Sequence, residues 1–422
     1  MVRKGVDMEN LLHTPEGVRD IYNEECSRKN VLSAKLGRIL NLYGYRDIQT
    51  PTFEFFDIFN WERGTVPSRN MYKFIDRDGS TLVLRPDITP SIARAVAKYY
   101  KEERIPLRFS YCGNTFINNS SLQGKMKETT QLGAELIGDR SIEGDAEIVA
   151  LAINLLLESG LENFQLDVGH VGFFQALARE ASMDKAAVEQ MCVLIESKNY
   201  FGVEALLEQL TLPKETADIF LKLPELFGSY DVIGQARAMT KNEEALQSLD
   251  AIEKLYQLIR EYGFEKYITI DLGMLTEYDY YTGIIFRGYT YGTGDAVVKG
   301  GRYDHLIGQF GKDAASVGFA VVLDELMLAL SRQKIDIPTG DAATMVLYEP
   351  EFRSQAIRTA NSLRNINRAV SMLKKESGLD MEDYKDYCRR YHMESILYVN
   401  SDRNLMKLDI ADDSVRTMPV PE

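Results

Sequence analysis

Clustered sulfur and imidazole are missing from this chain. Its four cysteines, Cys26, Cys112, Cys192 and Cys388, stand far apart with no Cys-x-x-Cys, and the four histidines, His13, His170, His305 and His392, form no tight pairs. Zinc sites and disulfide scaffolds are built from such clusters, so neither is expected, and no cofactor motif is found. Long apolar runs are absent too: no stretch is long enough to span a bilayer, and residues 1–10 carry two basic residues without the apolar core of a signal peptide. The expectation is a cytoplasmic protein with no membrane partner. Positive charge is in short supply, with 49 Lys and Arg against 63 Asp and Glu and a formal net charge of -14. That balance argues against neutralising nucleic-acid phosphates as the main task, although a local basic patch is compatible with an acidic total.

What is present is ordinary globular material. At 422 residues and 45% hydrophobic, the chain is long enough for two or three domains with sizeable cores. Leu32, Leu36, Ile39, Leu40 and Tyr43 mark one buried helix face, and Gly44 ends that helix. Residues 45–54 read as an extended edge or interface strand, because Pro51 disfavours a central ladder position. Residues 71–76 and 81–85 flank Asp78-Gly79, a strong hairpin signal. The second strand leads to Asp87 and Thr89 ahead of a helix, where they serve either as caps or as ligand contacts.

Two β segments follow, 107–117 and 129–137. Period-2 alternation puts Gln131, Gly133 and Glu135 on one face of the second, which is either a polar site or a solvated surface. Residues 145–157 and 171–181 read as helices around a strand at 164–168, and His170 between them is assigned a hydrogen-bonded structural role because no acid or nucleophile accompanies it. From about 184 to 260 the pattern is that of a helical insert. The richest stretch runs from Leu272 to Asp304, with Asp279-Tyr280-Tyr281, Ile284-Ile285-Phe286 and Gly300-Gly301-Arg302-Tyr303-Asp304. It reads as a hairpin turning near 289–294, either plain sheet packing or the wall of a small-ligand pocket. Residues 335–340 form a linker, and the strand–helix alternation after it implies a small, mostly parallel α/β unit.

In this order the segments resemble the class II aminoacyl-tRNA synthetases, and within them the histidyl-tRNA synthetase core. Residues 14–20 resemble that family's entry peptide, and residues 44–54 its first class motif, which builds the dimer interface. Leu84-Arg85-Pro86-Asp87-Ile88-Thr89, Gln131-Leu132-Gly133-Ala134-Glu135 and Asp279-Tyr280-Tyr281 resemble the histidine-pocket segments. The resemblance implies an α+β fold with a mixed, mainly antiparallel sheet: a core over 10–335 holding the helical insert, and a C-terminal α/β domain over 341–422 similar to a degenerate anticodon-binding domain. It also implies that Asp87, Thr89, Gln131, Glu135, Tyr280, Tyr281 and Tyr303 hold histidine, with Asp87 replacing the family's glutamate.

Three positions depart from the synthetase pattern. The Phe-Arg-x-Glu of the second class motif reads Phe116-Ile117-Asn118-Asn119, the arginine three residues before Asp-Tyr-Tyr is Thr276, and the arginine of the third motif is Glu325. Amino-acid activation develops negative charge on a phosphate, and each donor lost from such a site typically costs about 3 to 4 kcal/mol. An acidic group beside a triphosphate adds repulsion. A pocket kept beside a disabled ATP site resembles the regulatory subunits of ATP phosphoribosyltransferase, synthetase paralogues that work with a short-form catalytic subunit at the first step of histidine biosynthesis. That resemblance implies a non-catalytic chain, a homodimer within a hetero-oligomer, and histidine as effector. An active histidyl-tRNA synthetase and a free-standing histidine sensor are the alternatives. Residues 341–422 hold 12 Lys and Arg against 14 Asp and Glu, which disfavours tRNA as a partner of the C-terminal unit.

Overall fold

The computed structural model describes residues 12–59, 66–119, 125–210, 212–275, 281–339 and 343–420. Helix α1 (Asn23–Leu42) buries Leu32, Leu36, Ile39 and Leu40, the stripe expected from their spacing. Gly44, at φ +84°, turns the chain into β1 (Arg46–Asp47) and β2 (Phe53–Phe55). Strands β3 (Lys73–Ile75) and β4 (Thr81–Leu84) form the hairpin signalled by Asp78-Gly79, with Gly79 at φ +87°. Then come α2 (Thr89–Tyr99), β5 (Leu107–Phe116), β6 (Glu128–Ile137), α3 (Ile142–Glu158), β7 (Phe164–His170) and α4 (Val171–Glu180).

The insert supplies α5 (Lys185–Glu196), α6 (Tyr200–Leu210), α7 (Lys214–Lys222), β8 (Phe227–Gly228), α8 (Asp231–Met239) and α9 (Glu243–Glu261). The chain returns through β9 (Ile268–Asp271), β10 (Ile284–Thr290), β11 (Val298–Arg302), β12 (Ser316–Val322) and α10 (Leu323–Arg332). The last stretch is β13 (Thr344–Tyr348), α11 (Arg353–Asn365), β14 (Val370–Lys374), α12 (Met381–Arg390), β15 (Ser395–Val399), β16 (Asn404–Asp409) and β17 (Val415–Pro419). Two compact units divide the whole: Met1–Asp20 with Lys29–Ile337, and Ile21–Arg28 with Pro338–Glu422.

In the first unit a nine-stranded sheet runs in the order β1-β5-β6-β12-β11-β10-β7-β9-β8. It is antiparallel except where β1 meets β5 and β7 meets β9. Alternation gives its two faces opposite characters. Leu132, Ala134 and Leu136 of β6, Val317, Phe319 and Val321 of β12, and Ile284 and Phe286 of β10 join the main core with α3, α4, α9 and α10. The intervening residues Gln131, Gly133, Glu135, Gly318 and Gly301 form a polar, small-residue strip on the other face. Strands β2, β4 and β3 make a separate three-stranded sheet.

The second unit carries a sheet ordered β14-β13-β15-β16-β17. Its first three strands are parallel, as the strand–helix alternation requires, but β16 and β17 add an antiparallel hairpin that the sequence pattern does not announce. All five residues of β17 are exposed, so this strand has no apolar alternation to betray it.

The helix layer is pinned to the sheet by Arg302. Its guanidinium, 6% exposed as a residue, pairs with Asp145 of α3 at 2.8 Å and Asp304 at 3.1 Å, and donates to the carbonyls of Asp139 and Ser141. Burial pushes Asp145 up to about 6 even beside this partner. Removing one member of a buried pair strands the other, at a cost of about 3 to 5 kcal/mol. Arg302→Met is therefore expected to lower the urea midpoint of the chain sharply, and an unchanged midpoint would show that the pair carries no such load.

Candidate functional site

Glu135 lies near the C-terminal end of β6 on the strip opposite the main core, and only 1% of it is exposed. Two hydroxyls reach its carboxylate: Thr89 donates to Oε1 at 2.7 Å, and Tyr303 donates to Oε2. The two donors come from opposite sides. Thr89 stands in the first turn of α2, while Tyr303 follows β11. Thr89 is not the cap of α2, since the N-terminal cap is Ile88 and makes no side-chain bond; its hydroxyl is turned to Glu135 instead. Asp87 accepts from the Ile88 backbone at 2.7 Å.

Space for the carboxylate comes from glycine. Gly318 pairs with Glu135 across the ladder, and a Cβ there would stand 1.7 Å from Glu135 Oε2. Gly301, next in the same row, would place a Cβ 2.7 Å from the Tyr281 ring. At Gly133 a Cβ would meet the Phe319 carbonyl oxygen at 2.3 Å and the Tyr111 hydroxyl at 2.5 Å. Three neighbouring strands thus omit side chains so that Glu135, Tyr281 and Tyr111 can lie over the sheet. Tyr281 packs in turn on Val171, Met274 and Ile285.

The electrostatics follow from this burial. Among the described residues no cation pairs with Glu135, and desolvation raises its carboxyl to about 8 despite the Tyr303 and Thr89 hydrogen bonds, with Asp87 adding to the rise. Burial, Asp87 and Glu135 likewise hold the Tyr281 phenol above its ordinary value. Tyr111 is shifted upward by burial, Glu135 and Asp87, and Thr89 hydrogen-bonds it. Gln131, four residues before Glu135 on the same face, buries an Oε1 that has no hydrogen-bond partner among the described residues. Around Glu135 the site therefore offers acceptors and phenols; Arg287 acts on Tyr281 from the same sheet face, but no cation pairs with Glu135 among the described residues, an arrangement complementary to a small group rich in N–H donors.

Asp87, Thr89, Gln131, Glu135, Tyr281 and Tyr303 all fall in this neighbourhood, whereas Tyr280 and Thr276 lie outside the described residues. Tyr111 was not singled out from the sequence. Its place was readable from alternation in β5, which puts Phe109, Tyr111 and Gly113 opposite Glu135, Gly133 and Gln131. His170 is structural: its Nδ1 accepts from Gly172 N at 3.0 Å, and burial followed by Arg302 pushes the imidazole down to about 4.

Ile117 follows the end of β5, its backbone donating to Lys127 O at 2.9 Å. Glu325 opens α10, and burial, then Asp295, raises its carboxyl. Asp295 itself pairs with Lys299 at 3.0 Å and Lys125 at 3.5 Å. Among the described residues no group of three or more His, Cys, Asp and Glu is placed to hold a metal ion, and no helix is long and apolar enough to cross a membrane.

A raised carboxyl has a thermodynamic signature. Glu135 is near 4.5 when solvated and about 8 when folded, so it contributes stability below the lower value that is lost as pH climbs through the upper one. Glu135→Gln stays neutral throughout. It should match the wild-type thermal midpoint at pH 5 and exceed it by several degrees at pH 9 in the unliganded chain; equal midpoints at pH 9 would show that the carboxylate is not destabilised by its burial.

Comparison with known proteins agrees with the geometry. A sequence model described as histidyl-tRNA synthetase matches residues 17–326. An ATP phosphoribosyltransferase regulatory subunit from Acetivibrio thermocellus is 38% identical, with 97% of this chain and 98% of that protein covered. A crystal structure from Bacillus halodurans, described as an ATP phosphoribosyltransferase regulatory subunit/histidyl-tRNA synthetase, superposes with a TM-score of 0.83 at 31% identity, covering 93% of this chain and 99% of that one. The histidyl-tRNA synthetase of Nostoc shares the fold, with a TM-score of 0.79 at 18% identity over 96% of each chain. With its class II synthetase α+β fold and its full-length likeness to these proteins, the chain belongs to the ATP phosphoribosyltransferase regulatory subunits of the histidyl-tRNA synthetase-like family.

Proposed function

We propose that this chain is a non-catalytic regulatory subunit that binds histidine in the Glu135 pocket and sets the rate of a short-form ATP phosphoribosyltransferase catalytic subunit. It would act in the cytoplasm, at the first step of histidine biosynthesis. The observation that carries the reading is the Glu135 carboxylate, buried between two hydroxyl donors with no cation paired to it among the described residues. Histidine supplies what such a site lacks, an ammonium and a ring N–H. Gln131, whose Oε1 has no hydrogen-bond partner among the described residues, and Asp87 offer the further acceptors, and Tyr281 and Tyr303 supply phenols. Tyr280 belongs to the same proposed set by its place in the sequence.

Activation of the bound amino acid is judged lost. Ile117 offers no charge to a phosphate, and Glu325 offers the wrong one, with Asp295 and Asp324 adding to the negative field around it. Thr276, by sequence, removes a third arginine. Lys299 is committed to Asp295 at 3.0 Å. No catalytic residue or cofactor is assigned. The C-terminal unit is read as a degenerate anticodon-binding domain, and the chain as a homodimer within the hetero-oligomer, with β1 and β2 at the dimer interface as the first class motif implies. Inhibition by histidine then needs only that it prefer one of two arrangements of the complex, with a coupling of about 1 to 3 kcal/mol.

Co-expression tests the role: the short-form catalytic subunit should co-purify with this chain. Failure to bind any such subunit would favour a free-standing sensor. Histidine-dependent ATP–pyrophosphate exchange should be absent, and appreciable exchange would restore the synthetase reading. In calorimetry Tyr281→Phe should weaken histidine about tenfold, the size of one lost buried hydrogen bond, with the fold intact; unchanged binding would place the effector elsewhere.

A further inference from the structure

Arg287 lies on the pocket face of the sheet, within the 272–304 stretch but outside the proposed histidine-binding set. The β10 register sets it opposite Lys299 on one side and Asp167 of β7 on the other. Its Nη2 reaches two places. It pairs with Glu196 at the end of α5, in the helical insert, at 2.9 Å, and it lies 3.4 Å from the carbonyl of Leu275. Leu275 follows Met274, one of the three residues on which Tyr281 packs, and Ile285, two positions before Arg287, is another. One guanidinium therefore touches both the insert and the backbone beneath the pocket wall.

A second carboxylate competes for it. Asp167 faces Arg287 directly across the ladder, yet has no cation within ion-pair distance among the described residues. Burial, then Asp271, pushes it up to about 6, with Lys198 and Arg287 acting weakly against the rise. Both ends of the Arg287–Glu196 pair are partly buried, with side chains 33% and 27% exposed, so the pair is less screened than an ordinary surface contact. An arginine placed between two carboxylates can pair with either, and a two-state element of that kind is what energetic coupling between sites requires.

We propose that Arg287 is a positioning residue of the pocket, holding the Leu275 segment under Tyr281 and exchanging between Glu196 and Asp167, so that pocket occupancy is carried into the helical insert. This rests on the amino-acid reading of the pocket. Neither carboxylate need touch the ligand. Linkage makes the effect reciprocal: whatever the ligand does to the Glu196 contact, removing Glu196 does to the ligand's affinity.

The test is calorimetry of the full chain with L-histidine, together with amide hydrogen exchange of residues 185–196, for wild type, Glu196→Gln and Asp167→Asn. Histidine should alter exchange in α5 of the wild type and leave it unaltered in Glu196→Gln. The two variants should shift histidine affinity in opposite directions, each by about fivefold or more. Wild-type binding with Glu196→Gln indistinguishable in affinity and in exchange response would overturn the coupling while leaving the pocket in place. A wild type that binds no histidine would overturn the pocket reading and this inference together. Glu196 is partly exposed at a helix end, so its variant should fold, and a matching thermal melt verifies that.

Discussion

A carboxylate kept out of water without a cation is the constraint around which the first unit is arranged. Glu135 sits on an interior strand of the sheet, and its burial is unfavourable in the ionised state unless something positive arrives. The surroundings accept that cost in a specific way. Thr89 and Tyr303 direct hydroxyl hydrogens at both oxygens, so the group is solvated by protein donors without being neutralised. Gly318, Gly301 and Gly133 leave the volume that a side chain on any of three strands would remove. The opposite face of the same strands is continuous core, which makes the sheet stiff enough to hold such a site.

Charge is distributed differently where a synthetase would work on phosphate. Ile117 and Glu325 leave no arginine at those positions, and the nearby lysines answer to Asp295. On the proposed reading the two halves of an activating enzyme are separated: the Glu135 site keeps donors and acceptors, while Ile117 and Glu325 bring no positive charge to the positions where the synthetase pattern has arginine. A regulatory subunit needs the first half alone, because a ligand shifts an equilibrium by binding one arrangement better than another.

Local signals were legible in the sequence. The stripe from Leu32 to Leu40 announced α1, Asp78-Gly79 announced the β3–β4 hairpin, and strict alternation put Gln131 and Glu135 on one face of β6. Residues whose meaning depends on a distant partner were harder. Tyr111 in a strand reads as core until Gly133 is seen opposite it, and Gly318 carries no reading of its own until register sets it against Glu135. Thr89 remained open between cap and ligand contact because the choice turns on where β6 passes. The β16–β17 hairpin escaped because its outer strand buries nothing. Arg287 carried no motif, and its pairing with Glu196 depends on where α5 packs against the sheet.

The most direct test compares the wild-type chain with Glu135→Ala as activators of a short-form ATP phosphoribosyltransferase catalytic subunit across a histidine titration. The account predicts that both raise the catalytic rate, that histidine suppresses the rate with wild type, and that it suppresses it only at much higher concentration, or not at all, with the variant. Equal histidine sensitivity of the two complexes would contradict it, because inhibition would then pass through a site other than the one built around Glu135.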